Sequence, residues 1–580
     1  MKLDLLVRNA NILTLDDARP TARTLGALHG RVVGLDEEVE HLPAARVIDA
    51  GGATVVPGFN DAHCHTAWFG LTLTQLDVSG ARTVDEVYEA VAVYAAGLPR
   101  DAWVIGAGLD HNRTGGRYPH RDALDRAAGG RRVWLKHTSG HACVVNTPVL
   151  RLAGILADGF TDPDGGVVSR DEDGRPDGLL EETAQRLVQR HVLPYPVETV
   201  ADAVGAATRH YLTEGITSFT EAGIGGGWIG HTPVELAAYQ LARDTGRLHT
   251  RAQLMAASDV LHPLVSHADD GIGLGLDLGM RTGFGDDRLS LGPVKIFLDG
   301  SLLGRTAAVT EPFCGCPHNE AEAANPTGYL QNDADTMTGI VVAAHRSGWT
   351  VAAHAIGDRA VDLALDAFAR AQRELPRPGV HHRIEHAGVV RPDQLGRFAE
   401  LGVIPVPQHN FLPPFGDAMA ESLGARRTAW SYRLRSLLDL GLPVPGSSDR
   451  PVAPGAPLPA IQAMVQRRTG SGAVYGPDER VPVLDALRAW TEGSARATGF
   501  GDHKGRLVPG YLADLTILDA DPLRTDPDRI GSLQVLATVV DGDPVHDPHG
   551  LAAPAAPRTP AQPVPPSPQG HQALRPQENV

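Results

Sequence analysis

The chain has 580 residues, 42% of them hydrophobic and 21% charged, with a formal net charge of -17 (52 Lys and Arg against 69 Asp and Glu). That length exceeds one small core and predicts several domains or a barrel with additions. An acidic balance argues against a nucleic-acid surface and gives no reason to expect an anionic membrane partner.

Met1 to Arg8 lacks the apolar core of a signal peptide, and no run of about 18 apolar residues occurs, which predicts a cytoplasmic protein without membrane association. The four cysteines, Cys64, Cys143, Cys314 and Cys316, are too scattered for a disulfide framework. Cys314-Gly315-Cys316 reads as a surface loop, since a zinc site needs a second ligand pair nearby.

Short apolar runs at 5–7, 12–15 and 31–35 read as strands of a small sheet, and 513–518 and 535–542 have the same character. The expectation is a composite β-sandwich domain from residues 1–53 and 505–548, with the barrel, 54–504, inserted between. Thr54 to Val56 reads as a buried strand, followed by a Pro57-Gly58 break and then His63 and His65. In extended backbone, side chains at i and i+2 share a side, so the two imidazoles can face one metal ion. Thr83 to Glu86 is a capping box opening a helix that stops at Gly97 and Pro99. Residues 100–190, rich in Gly, Asp and Arg, read as an inserted subdomain.

From Gly215 strands alternate with helical segments: 216–220, 250–255, 293–298, 350–354, 382–386, 403–407 and 442–446. With 54–56 these make eight, which predicts parallel pairing and an α/β (β/α)8 TIM-like barrel whose chemistry sits where strands end. The tail, 551–580, is Ala-, Pro- and Gln-rich without periodicity and predicts disorder.

The strand ends carry Lys295 in VKIFLDG, His354 in HAIGD, His386 in RIEHAG and Asp449 in PGSSD. Each alone has a bland reading: a hydrogen-bonded histidine, a costly buried lysine, a carboxylate capping the next helix. Together, in the order His-x-His, Lys, His, His, Asp, they converge. With PGFNDAHCH, VKIFLDGSLLGRTAA, HAIGDRAV, RIEHAG, GSSDRPV, TEGSARATG and KGRLVPGYLADLTILDADP, the chain from about residue 3 to 545 resembles the amidohydrolase superfamily. Within it the similarity is to amidohydrolase family 3, the YtcJ-like group that includes N-substituted formamide deformylases.

The resemblance implies one or two divalent ions, zinc first: His63 and His65 on one, His354 and His386 on the other. Lys295, carboxylated by carbon dioxide, would bridge them, and Asp449 would bind the first ion and shuttle the proton. It implies hydrolysis of a small-molecule amide at a non-peptide carbon–nitrogen bond by metal-activated hydroxide, and a homodimer is compatible with it. His141, in a Gly-His pair of the insert, is a candidate catalytic residue for the carbonyl or oxyanion. Val144 stands where many relatives have an aromatic residue, and Arg450 where they often have a small one; next to Asp449, it reads as a residue that alters proton affinity or selects an anionic substrate. Trp68, Phe69, Phe411 and Phe415 are candidate wall residues. Asp299 and Arg305 read as structural. The same site would serve cyclic amide, ester or lactone hydrolysis, or deamination. A non-catalytic scaffold would have lost ligands, and none of the six positions is missing.

Overall fold

A computed structural model describes residues 1–111, 113–137, 142–163, 166–226, 230–315 and 325–552. The centre is a parallel sheet of seven strands in the order β7-β6-β5-β4-β3-β2-β1. These are β1 (Phe59–Cys64), β2 (Ile216–Ile224), β3 (Arg251–Ala257), β4 (Leu289–Phe297), β5 (Val351–Ala355), β6 (Arg383–His386) and β7 (Ile404–Val406). All residues of β2, β3 and β5 are buried, as expected for a parallel sheet covered on both faces. Helices Val197–Thr213, Glu235–Asp244, Ala334–Arg346, Asp358–Glu374 and Pro392–Leu401 follow in alternation. Their apolar stripes, with Val204, Tyr211, Tyr239, Val341, Leu365 and Phe368, join the strand residues in one core. The result is a TIM-like barrel, nearly closed.

Two strand expectations change. Thr54–Pro57 is a strand of another sheet, pairing with Leu515–Leu518 and Asn11–Leu13. The chain crosses into the barrel at Gly58, whose N–H donates to Asp514 O (2.9 Å) while Phe59 N–H donates to Gly215 O (3.0 Å). A Cβ at Gly58 would lie 2.2 Å from the Thr217 hydroxyl oxygen, so the crossing is built on a residue without one. The eighth segment, 442–446, forms no regular strand, because Pro443 and Pro445 remove alternate donors. This segment and the residues just after it close the barrel through single contacts: Ala62 N–H to Gly446 O (3.0 Å) and Asp449 N–H to His63 O (2.7 Å).

Both chain ends build the flanking β structure. One sheet of six strands runs Asp543–His546, Val535–Val540, Leu515–Leu518, Thr54–Pro57, Asn11–Leu13, Thr21–Ala22, and one of four runs Arg31–Leu35, Leu25–Leu28, Leu3–Arg8, Ala44–Asp49. Leu5, Val7, Leu25, Val55, Leu515, Ile517 and Val539 share their core. A further six-stranded sheet covers Leu76–Asp77 to Pro176–Glu182, packed on helix Val84–Ala96 through Val87, Val91, Val133 and Leu135. Thr83 caps that helix by accepting from Glu86 N–H (3.2 Å), while the Glu86 carboxylate reaches Arg82 N–H (2.7 Å) rather than Thr83. Apart from Leu551 and Ala552, the tail lies outside the described residues. No described helix is long and apolar enough to cross a membrane.

Candidate metal centre

Six side chains arrive at the carboxyl ends of the barrel strands. His63 comes from β1 and His65 from the residue just after it, Lys295 from β4, His354 from β5, His386 from the end of β6, and Asp449 from the closing segment. The register of β5 on β6, with Ala355 opposite His386 and His354 opposite Glu385, sets the last two imidazoles side by side at 4.5 Å between ring centres. His386 and Asp449 both adopt the left-handed region, φ +71° and +56°. Non-glycine residues enter it at a cost, so both side chains are aimed by locally strained backbone held in place by the packed strands around it.

The Nε2 atoms of His63 and His65 lie 3.3 and 3.0 Å from Asp449 Oδ1, and the three donors fit within a sphere that one cation could bind. Lys295 Nζ is 3.5 Å from His63 Nε2, and the His386 ring is 5.0 Å from that of His63. All six positions are buried.

Three of the four histidines have an outward nitrogen that is anchored by a hydrogen bond. His63 Nδ1 bonds the Glu385 carboxylate, which Arg383 holds through Nε and Nη2 at 2.8 and 2.9 Å. His386 Nδ1 meets Gln408 Oε1 at 2.7 Å, and His354 Nε2 meets Gly300 O at 3.0 Å. His65 Nδ1 faces Glu221 at 3.7 Å, a carboxylate also held by Ala67 N–H and Tyr239. This is the arrangement by which proteins fix the tautomer and ring plane of metal-ligating histidines.

Charge follows burial. Desolvation drives His354 down to about 3 and lowers His386 as well, so both imidazoles are neutral, and it shifts Lys295 toward neutrality, down to about 8. Burial opposes ionisation of Asp449 too, yet the facing His63 and His65 imidazoles overcome it and hold the carboxyl well below its usual range. The same balance raises His65 to about 9, Asp449 and Glu221 outweighing burial. Among the described residues, Asp449 Oδ1, His65 Nδ1 and His354 Nδ1 are buried without hydrogen-bond partners. Orphaned acceptors among imidazoles and a carboxylate fit a divalent cation, with zinc suited to the histidine-rich set.

His141 and Cys316 lie outside the described residues, and Cys314 is exposed. Arg450 turns away from the centre: its guanidinium pairs with Glu214 at 2.6 Å and lies over Phe69 and Tyr211 at 4.9 and 4.8 Å. Phe69, partly buried, stacks on Tyr211. Asp299 accepts from Ala308, Ile356 and Gly357 N–H groups (2.9, 3.0 and 2.7 Å), pinning the loop after β4 to the start of helix Asp358–Glu374. Phe411 is buried against Phe415 and Tyr432.

Sequence reasoning missed Glu385, Arg383, Gln408 and Glu221. The signal for Arg383 and Glu385 was available: two charges at i and i+2 in a short strand lie on one face, and in a barrel that face is interior. Beside the centre, Trp68 stands 5.9 Å from the His65 ring and joins the wall of a cavity of about 340 Å³ between the barrel mouth and the insert.

Residues 46–546 match the amidohydrolase family, and the chain belongs to it. It is 31% identical to the Bacillus subtilis (strain 168) protein YtcJ over 87% of this chain and 91% of that one. It is 30% identical to the N-substituted formamide deformylase of Arthrobacter pascens over 93% and 97%. An uncharacterized metal-dependent hydrolase of Pyrococcus horikoshii OT3 shares the fold with a TM-score of 0.72 and 27% identity, covering 90% of this chain and 99% of that one. The protein is a hydrolase of this family.

Proposed function

We propose that the protein hydrolyses non-peptide carbon–nitrogen bonds of small molecules, linear amides first and N-substituted formamides among them. The observation that carries this is the meeting of His63, His65, Lys295, His354, His386 and Asp449 in one buried cluster, with Asp449 Oδ1 turned to the Nε2 atoms of His63 and His65. The relationship to an N-substituted formamide deformylase supports the choice of substrate class.

His63, His65 and Asp449 would hold one divalent ion, and His354 and His386 a second, with Lys295 carboxylated between them. When bound, such an ion lowers the pKa of water from about 15.7 to about 7 and polarises a carbonyl oxygen. Burial supports the lysine assignment, because only a neutral amine reacts with carbon dioxide and Lys295 is shifted toward neutrality. Asp449, ionised and facing the histidines at positions 63 and 65, would accept the proton of the attacking water on its carboxylate and pass it to the departing nitrogen. That transfer matters because an amine leaves poorly unless protonated. Glu385 and Gln408 keep the outward nitrogens of His63 and His386 occupied, so that Nε2 of each faces inward.

The test is metal analysis of protein purified without chelator, combined with assays of N-substituted formamides and acetamides with and without bicarbonate. One to two equivalents of divalent metal, with amide turnover that disappears in Asp449→Asn, is the expected result. Metal-loaded protein inert toward every linear amide would overturn the substrate class, and protein that takes up no metal would overturn the hydrolytic mechanism.

A further inference from the structure

The cavity beside His65 has a polar pole that the hydrolytic chemistry does not use. Its lining includes Trp68, Leu71, Trp134, Lys136, Tyr195 and His231. A volume of about 340 Å³ is at the lower end of small-molecule sites, which are mostly apolar with a few placed polar groups.

Trp134 and Lys136 sit two residues apart on strand Arg132–His137, a strand paired on both sides, by Trp103–Leu109 and Ala142–Val145. Alternation sends Val133 and Leu135 into the core under helix Val84–Ala96, so Trp134 and Lys136 share the opposite, cavity side. A lysine in an interior strand ordinarily carries its ammonium out to water along its apolar stem. Here the ammonium stays within the wall, 2.6 Å from Gln75 Oε1 and 5.4 Å from the Trp134 ring. Among the described residues no carboxylate forms an ion pair with it. Burial alone lowers its pKa, to about 8, with no acidic neighbour opposing the shift. Lys136 is half-buried at the cavity wall, and a partly desolvated cation paired only with a neutral amide gains from an anion brought by a ligand.

We propose that the substrate carries a carboxylate on a flat apolar body, and that Lys136 receives this carboxylate while Trp68, Trp134 and Tyr195 line the body. One ammonium beside a neutral glutamine balances one negative charge, which suits a carboxylate better than a dianionic phosphate. This rests on the amide-hydrolase reading and narrows it to amides bearing an acid at the end remote from the scissile bond.

Two readouts separate the inference from the reading beneath it. In the first, phenylacetate and phenylacetamide are titrated into the metal-loaded full chain by tryptophan fluorescence, for wild type, Lys136→Met, Lys136→Gln and Lys136→Arg, with folding checked by circular dichroism. Wild type is expected to bind the carboxylate at least tenfold tighter, with that preference lost in the two neutral variants and kept in Lys136→Arg. In the second, kcat/KM is compared for N-benzylformamide and its para-carboxylate derivative, and the ratio should fall at least tenfold in whichever neutral variant folds. Equal binding of the two probes by wild type, or a preference that survives loss of the charge, overturns the assignment of Lys136. If neither formamide is turned over while the binding preference behaves as expected, the amide reading falls and the carboxylate pocket stands.

Discussion

The Glu385 carboxylate bonds Nδ1 of His63 from the adjacent side of the barrel, and Arg383, two residues earlier on the same strand, grips that carboxylate with two guanidinium nitrogens. The ring of His63 is therefore fixed from outside the metal cluster. Burial works against ionising Glu385, but Arg383 and His63 overcome it and keep the carboxyl charged far below the usual range.

Removing that charge should loosen the ligand without deleting it. Glu385→Gln is expected to lower metal affinity about 10- to 100-fold, the usual effect of losing an outer partner of a ligating histidine. Competition against a chelator measures it, and an unchanged affinity would show that His63 is held by packing alone. Because Arg383 would then be buried without its counter-charge, the variant should also lose about 3–5 kcal/mol of stability.

Asp449→Asn separates proton transfer from binding. The amide keeps the shape and one acceptor oxygen but cannot take a proton, so kcat should fall about 10²- to 10⁴-fold, with a much smaller change in KM. Steady-state kinetics at saturating metal gives the split. A variant retaining wild-type kcat would remove Asp449 from the proton path.

Much of this was legible in the sequence because parallel barrel strands are buried on both faces, and ligands at their ends appear as polar residues breaking apolar runs. His63, His65, Lys295, His354, His386 and Asp449 stand out for that reason. The strand count was harder. Thr54–Pro57 and Phe59–Cys64 are separated by a single glycine, and only contacts with residues 215 and 514 show where one sheet ends and the other begins. The closing segment, 442–446, has strand-like composition, yet its two prolines leave it with single contacts instead of a ladder. Arg450 misled for a related reason: adjacency to Asp449 says nothing of direction, and its partner, Glu214, lies 236 residues away.

That burial makes Arg450 a test of structure rather than specificity. Glu214→Gln would leave the guanidinium without its ion pair between Phe69 and Tyr211, and the cost should be about 3 kcal/mol or more. Denaturant unfolding reads it. The kcat/KM ratio between anionic and neutral amides should not move, and a changed ratio would return Arg450 to the substrate pocket.

Lys504 predicts a pH dependence far from the metal cluster. Its ammonium is buried beside Ser218 Oγ (3.1 Å) and the Phe500 ring (4.6 Å), and burial, aided by Arg251, lowers its pKa from 10.5 to about 7. Between those values the unfolded chain holds a proton at this position that the native protein has released. Stability from this residue therefore rises with pH, by about 1.4 kcal/mol per pH unit, from about pH 7 toward 10.5. Below about pH 7 both states are protonated and the full penalty of the buried charge applies. In Lys504→Met that contribution is absent. The variant should gain most over wild type at pH 6, and its advantage should shrink steadily by pH 9. Urea unfolding of both proteins across that range, at matched metal loading, measures the difference. A stability gap independent of pH would mean that Lys504 stays charged in the folded protein, balanced by Asp514 and Asp287 instead of neutralised.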